Sequence, residues 1–195
     1  MSAQPVVFAA ALDGIVRAFG ARLTPELHAQ SRSLGVDLLH RQVAYPVDTF
    51  LPVFLLLAET LVPGDEASRP QRLRRFGHEV TVAFAQTGIG MATITMARVV
   101  GIRRALQRAG RNIRNTGNYL DAEGLVVDTT EVHLVTRVLP AFHAFVKPAW
   151  GVTELYRVGI IEAFLEQLHA RDPRVEVLRR DADGFETTYR VTWRD

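Results

Sequence analysis

Apolar residues recur at steps of three and four along the first half of the chain, and nearer to steps of two along much of the second. The first spacing predicts helices and the second predicts strands. Val6 to Phe19 is apolar almost throughout, interrupted by Gly14, and fits either a short strand entering a turn or a helix start. Thr24-Pro25-Glu26 starts a helix: Thr24 caps, Pro25 takes the first helical position and Leu27 lies inside. Gly35 is expected to end it. Tyr45-Pro46-Val47-Asp48 opens the next helix, whose face is Val47, Phe50, Leu51, Phe54, Leu55, Ala58 and Leu61. Pro52 falls early enough to be tolerated, and Pro63-Gly64 closes the segment. Arg69 to Gln86 reads as a third helix, with Leu73, Phe76, Val80, Ala83 and Phe84 on one side. Thr87-Gly88 breaks it. Met91 to Gln107 resumes the helical spacing through Ile94, Val99, Ile102 and Leu106, with Gly110 as the stop.

The pattern then changes. Val126 to Leu139 is β-branched and mostly alternating, which predicts a strand, and Phe142 to Val146 predicts another, ended by Pro148. Thr153 to His169 reads as an amphipathic helix carrying Leu155, Val158, Ile161, Phe164, Leu165 and Leu168. Val175 to Leu178 and Thr187 to Trp193 alternate around Asp183-Gly184, a hairpin signal. Helices first, then strands with one helix before a terminal hairpin, predict an α+β fold: N-terminal helices packed on a C-terminal antiparallel sheet.

At 195 residues the chain suits one domain over 1–195. Apolar residues make up 48% and charged residues 23%, as in ordinary globular proteins. The longest apolar stretch with little interruption, Leu51 to Ala58, is too short to span a bilayer, and Met1 to Ala11 lacks the basic start of a signal peptide. A cytoplasmic location is therefore expected. With no cysteine, disulfides and thiolate metal sites are excluded. The net charge of +2 sets up no global field for nucleic acid. Lys147 is the sole lysine, so the basic chemistry is that of arginine, whose rigid fork suits phosphate and carboxylate.

The usual catalytic constellations are missing. His28, His40, His78, His133, His143 and His169 form no His-x-x-x-His pair and no carboxylate-rich metal motif, although His133 and His143 flank a strand region and can meet in space. There is no phosphate loop, no Gly-x-Ser-x-Gly elbow, and Gly88-Ile89-Gly90 lacks the third glycine of a dinucleotide fingerprint. Asp65-Glu66 reads as a solvated turn rather than an acid–base pair. No enzyme, cofactor or metal site is expected.

Two features carry binding chemistry. Arg98, Arg103, Arg104, Arg108, Arg111 and Arg114 form a basic stretch, with Asn112, Asn115 and Asn118 beside it. Arg104 and Arg108 are four apart and share a helical face. Together with Arg111 and Arg114 they make a candidate anion site for phosphate, nucleic acid, a headgroup or an acidic partner; a solvated helix face accounts for the same charges. Tyr119 alone gives poor stacking for single strands, so nucleic acid is not the expected partner. The second feature is apolar: Phe54, Phe84, Met91, Met96 and Phe164 are the candidate lining of a pocket between helices and sheet, or simply core.

Tyr45-Pro46, Pro63, Phe76-Gly77, Thr87-Gly88, the run Arg111 to Tyr119, Gly159 and the terminal Val191-Thr192-Trp193 stand in an order that resembles a paralogous family of uncharacterised domains from myxobacteria. The resemblance runs from about Gly14 to Trp193. More remotely, the layout is similar to haem nitric-oxide-binding domains, four-vinyl-reductase domains and TRAPP-type transport subunits. Phe76-Gly77 and the later Gly88 resemble the glycine motifs of the haem members. This likeness implies helices on an antiparallel sheet around an apolar cavity for a haem, a hydrophobic small molecule or an acyl chain. It does not carry the haem ligand: the family's axial histidine would fall within Asn112 to Leu120, where there is none, and the Tyr-x-Ser-x-Arg motif is missing. The expectation is a non-enzymatic sensor or regulatory module for an apolar small molecule. The alternatives are a protein-interaction or dimerisation scaffold and, third, an anion-binding arginine stripe.

Overall fold

The computed structural model describes residues 4–63, 69–146 and 153–194. Gly64, the Asp65-Glu66 turn, Lys147 and Pro148 lie outside the described residues, as do the side chains of Arg111 and Asn112.

Val6 to Phe19 contains both of the elements it suggested. Strand β1 (Val6–Phe8) pairs antiparallel with β2 (Ala44–Pro46), and helix α1 (Ala10–Phe19) follows β1. Helix α2 (Pro25–Ser33) starts as expected, with the Thr24 hydroxyl accepting the Leu27 N–H at 3.3 Å, and Gly35 ends it at φ +97°. Tyr45-Pro46 belongs to β2, so helix α3 (Val47–Leu61) begins one step later, with Pro52 in its second turn.

Helix α4 (Arg69–Phe84) and helix α5 (Gly88–Val100) are separated by a bend of 93°. Thr87 caps α5 by accepting the Gly90 N–H at 3.0 Å. The single helix expected from Met91 to Gln107 is two. Gly101 at φ +83° breaks it, and helix α6 (Ile102–Gln107) follows. Gly110 is not a stop: it lies inside a short helix α7 (Ala109–Ile113), where a Cβ would collide with the Ala122 carbonyl. No described helix is long and apolar enough to cross a membrane by itself.

Val126 to Leu139 is likewise two elements. Strand β3 (Leu120–Val126) turns at Asp128–Thr130 into β4 (Glu131–Val138), and the Asp128 carboxylate accepts the Thr130 N–H at 2.7 Å. Phe142 to Val146 is not a strand. Pro140 starts a 3₁₀ turn that runs into the short helix α8 (His143–Val146), a helical start that proline favours. Helix α9 (Glu154–Gln167) leads to the terminal hairpin, β5 (Arg171–Arg180) and β6 (Glu186–Arg194). The sheet order is β3-β4-β6-β5, antiparallel throughout. The fold is α+β, as expected.

Helix α9 is not the amphipathic helix its spacing suggested. Glu154, Arg157, Val158, Gly159, Ile161, Ala163 and Leu165 are all buried, which leaves little of its circumference to water. One side packs on α4; the other lies on the sheet, where Val158, Ile161 and Leu165 meet Val132, Leu134, Val175, Tyr189 and Val191. A larger apolar cluster joins α1, α3 and α4 to Leu120, Val138 and Phe185.

Candidate functional site

Aromatic rings gather where the helical layer meets α9. Phe76, on α4, lies parallel to Phe19 of α1 at 5.1 Å between ring centres. Phe54, on α3, meets Phe76 edge-on at 5.4 Å and Tyr156 of α9 edge-on at 4.7 Å. Such offset and edge-to-face pairs suit the ring quadrupoles and add to the stability gained from burial. Burial pushes the Tyr156 phenol well above its ordinary range, with Arg157 opposing, so the phenol stays neutral.

Polar groups line the sheet side of α9. Glu154 is buried, accepts the Thr187 hydroxyl at 3.2 Å and pairs with Arg180. Arg157, also buried, lies near enough to Tyr119, Tyr156 and Tyr189 to oppose the rise that burial imposes on each phenol. The sequence reading missed this group because Glu154 and Arg157 look like ordinary helix-surface charges. Their spacing of three, on the side of α9 shared with Val158 and Ile161, is the one signal that they point inward.

The five candidate pocket residues separate. Phe54 belongs to the ring cluster. Phe164 packs between the sheet cluster and the α5–α6 cluster. Phe84 is half-buried at the end of α4, its β carbon against Gly14 of α1. Met91 and Met96 stand on the outside of α5, at 55% and 61% exposure. None of the five lines either of two open clefts. One, of about 540 Å³, is lined by Phe8, Asp13, Leu39, Arg41 and Val43. The other, of about 440 Å³, is lined by Val100, Arg103, Arg104, Thr129 and Trp193.

The arginine stretch also divides. Arg98 donates to the Gln167 carbonyl at 2.9 and 2.7 Å. Arg114 pairs with Asp121 at 3.1 Å. Arg104 and Arg108 are exposed, and Arg111 cannot be placed beside them because its side chain lies outside the described residues. His133 and His143 do not meet in a site: His133 bonds Glu131 at 3.0 Å, and His143 bonds the Val138 carbonyl while lying flat on Phe185.

The family model described as "Protein of unknown function (DUF2378)" matches residues 6–194. No curated protein matches the sequence. Among solved structures, a variant of the Tt H-NOX protein is similar at a TM-score of 0.64 and 11% identity, with 96% of this chain and 95% of that one covered. An oxygen-binding H-NOX domain related to soluble guanylate cyclases gives 0.63 at 14% identity, covering 96% and 93%. The unliganded Fe(II) H-NOX protein from K. algicida gives 0.58 at 9% identity, covering 96% and 97%. At these identities the likeness is one of fold.

That fold family implies a haem, and the residues here do not fit one. Phe19, Phe54, Phe76 and Tyr156 already fill the joint between α9 and the helical layer with rings in contact. Asn112 to Leu120 offers no histidine. His78 is engaged by Glu166 at 2.7 Å, while His28 on α2 keeps a buried Nδ1 without a hydrogen-bond partner. Among the described residues no three metal-binding groups converge.

Proposed function

The chain belongs to the DUF2378 family, and on that premise we propose that it is a non-enzymatic sensor or regulatory module that takes a small apolar molecule, rather than haem, between its helical layer and α9, the helix that lies on the sheet. The observation that carries this reading is the whole-chain likeness to H-NOX domains, an oxygen-binding one among them, combined with an aromatic joint between α3, α4 and α9. A fold alone does not give function, but this joint supplies the apolar surroundings that such a ligand needs. A ligand there has to displace a ring, such as Phe54 where it meets Tyr156 edge-on, which favours a molecule far smaller than a porphyrin. Melting the protein with a panel of small aromatic and acyl compounds tests this. Binding to the folded state raises the melting temperature with concentration; a panel without any effect argues against an apolar ligand.

One observation favours a second reading, a docking scaffold. Met91 and Met96, expected to be inside, face solvent on α5. Methionine is adaptable at interaction surfaces.

A further inference from the structure

Helix α5 is apolar on two opposite faces. Gly90, Ile94 and Ala97 are buried against the protein. On the other side Ile89, Ala92, Met96 and Val99 follow one another at steps of three, four and three, a single line along a helix about 20 Å long. Ile89 is 64% exposed, Met96 61% and Val99 77%. No charge precedes Arg98 in this helix, whereas an ordinary surface helix places its charges on the solvent side.

The line runs into cations. Between Thr87 and Leu120 the sequence has no acidic residue. Several arginines elsewhere are held in ion pairs, such as Arg22 with Glu79, Arg74 with Glu162 and Arg190 with Glu131. Arg103, Arg104 and Arg108 have no ion pair among the described residues. Arg103 and Arg104 instead line the cleft at the α5–α6 joint, beside Thr129 and Trp193. Val127 is exposed in the β3–β4 turn that supplies Thr129, and Asp128 in that turn is engaged by Thr130.

We propose that this face docks on an anionic membrane surface, with the Ile89–Met96–Val99 line at the boundary of headgroups and acyl chains and Arg103, Arg104 and Arg108 on lipid phosphates. The inference rests on the docking reading of α5 and commits that face to lipid. A second copy of the chain suits the face poorly, because the segment between Thr87 and Leu120 offers no carboxylate to meet the arginines of its twin. A convex apolar line edged by unpaired arginines is the form of a helix lying in a lipid interface.

The test is sedimentation of the full chain with vesicles of phosphatidylcholine alone and of phosphatidylcholine with phosphatidylserine. The proposal expects binding to the anionic vesicles and little to the neutral ones. Met96→Glu with Val99→Glu should abolish it. Arg103→Ala with Arg104→Ala should weaken it on the order of 20-fold, at about fivefold per arginine. All four side chains are exposed, so unchanged melting shows that the variants fold. Equal partition into both vesicles, binding to neither, or variants that bind like the parent would overturn the proposal. If vesicles fail but the glutamate variant dissociates a dimer in analytical ultracentrifugation, the docking reading stands and the lipid inference falls.

Discussion

Gly77 of α4 and Gly159 of α9 form a reciprocal notch. A Cβ on Gly77 would run into the carbonyl oxygen of Tyr156, and a Cβ on Gly159 into the carbonyl oxygen of Arg74. Each helix thus lets the other's backbone approach where only hydrogen fits. This closeness seats Tyr156 against Phe54 and Phe76, so the notch positions the ring cluster as well as the helices. Gly77→Ala or Gly159→Ala should each destabilise the fold by about 3 kcal/mol or more, because backbone rather than a movable side chain blocks the new methyl group. Gly20→Ala is the control: its Cβ meets nothing within 4 Å, and a neutral or slightly stabilising effect is expected. Urea unfolding of the three variants checks this. A harmless Gly159→Ala would mean the helices lie further apart.

Phe54→Ala removes the ring that bridges α3, α4 and α9. The loss should be about 3–5 kcal/mol, the usual range for a buried phenylalanine. The space left is dry and ring-sized, so benzene or xenon should bind and recover part of the stability. Denaturation with and without benzene measures it. An absence of rescue would show that the helices collapse into the space.

Asp37 predicts an acid-sensitive component of stability. Its carboxylate accepts the backbone N–H groups of His40 and Leu39 at 3.0 and 2.9 Å, with Arg32 at 3.1 Å. Those bonds, His40's first, hold it at about 2. Because the folded value is depressed, its contribution is present above pH about 4 and lost as the pH falls towards 2. Asp37→Asn should therefore be less stable than the parent at pH 5, with the gap narrowing on acidification. A gap that stays constant between pH 5 and 2 would contradict this.

Much of the helical half was legible because its signals are local. Thr24-Pro25 starts α2, Gly35 ends it, Thr87-Gly88 parts α4 from α5, and the α3 face repeats at helical spacing, whereas the break at Gly101 hides inside an unbroken apolar spacing. The strands were less legible. In β3, Asp121, Glu123 and Gly124 blur the alternation, since one side of that edge strand is open and Gly124 gives way to the backbone of α6. The site was hardest to read, because its residues meet only through tertiary packing. Phe54, Phe76 and Tyr156 come from three helices, and nothing local couples Gly77 to Gly159. Met91 and Met96 read as core because apolar spacing does not tell an inward face from an exposed one.

Native mass spectrometry of the purified chain, compared with its denatured mass, tests the central claim most directly. The account predicts a fraction carrying a small excess mass, released on denaturation, too light for a porphyrin and without a Soret band. A bound porphyrin, or a ligand-free chain that gains no mass when offered small apolar compounds, would contradict it.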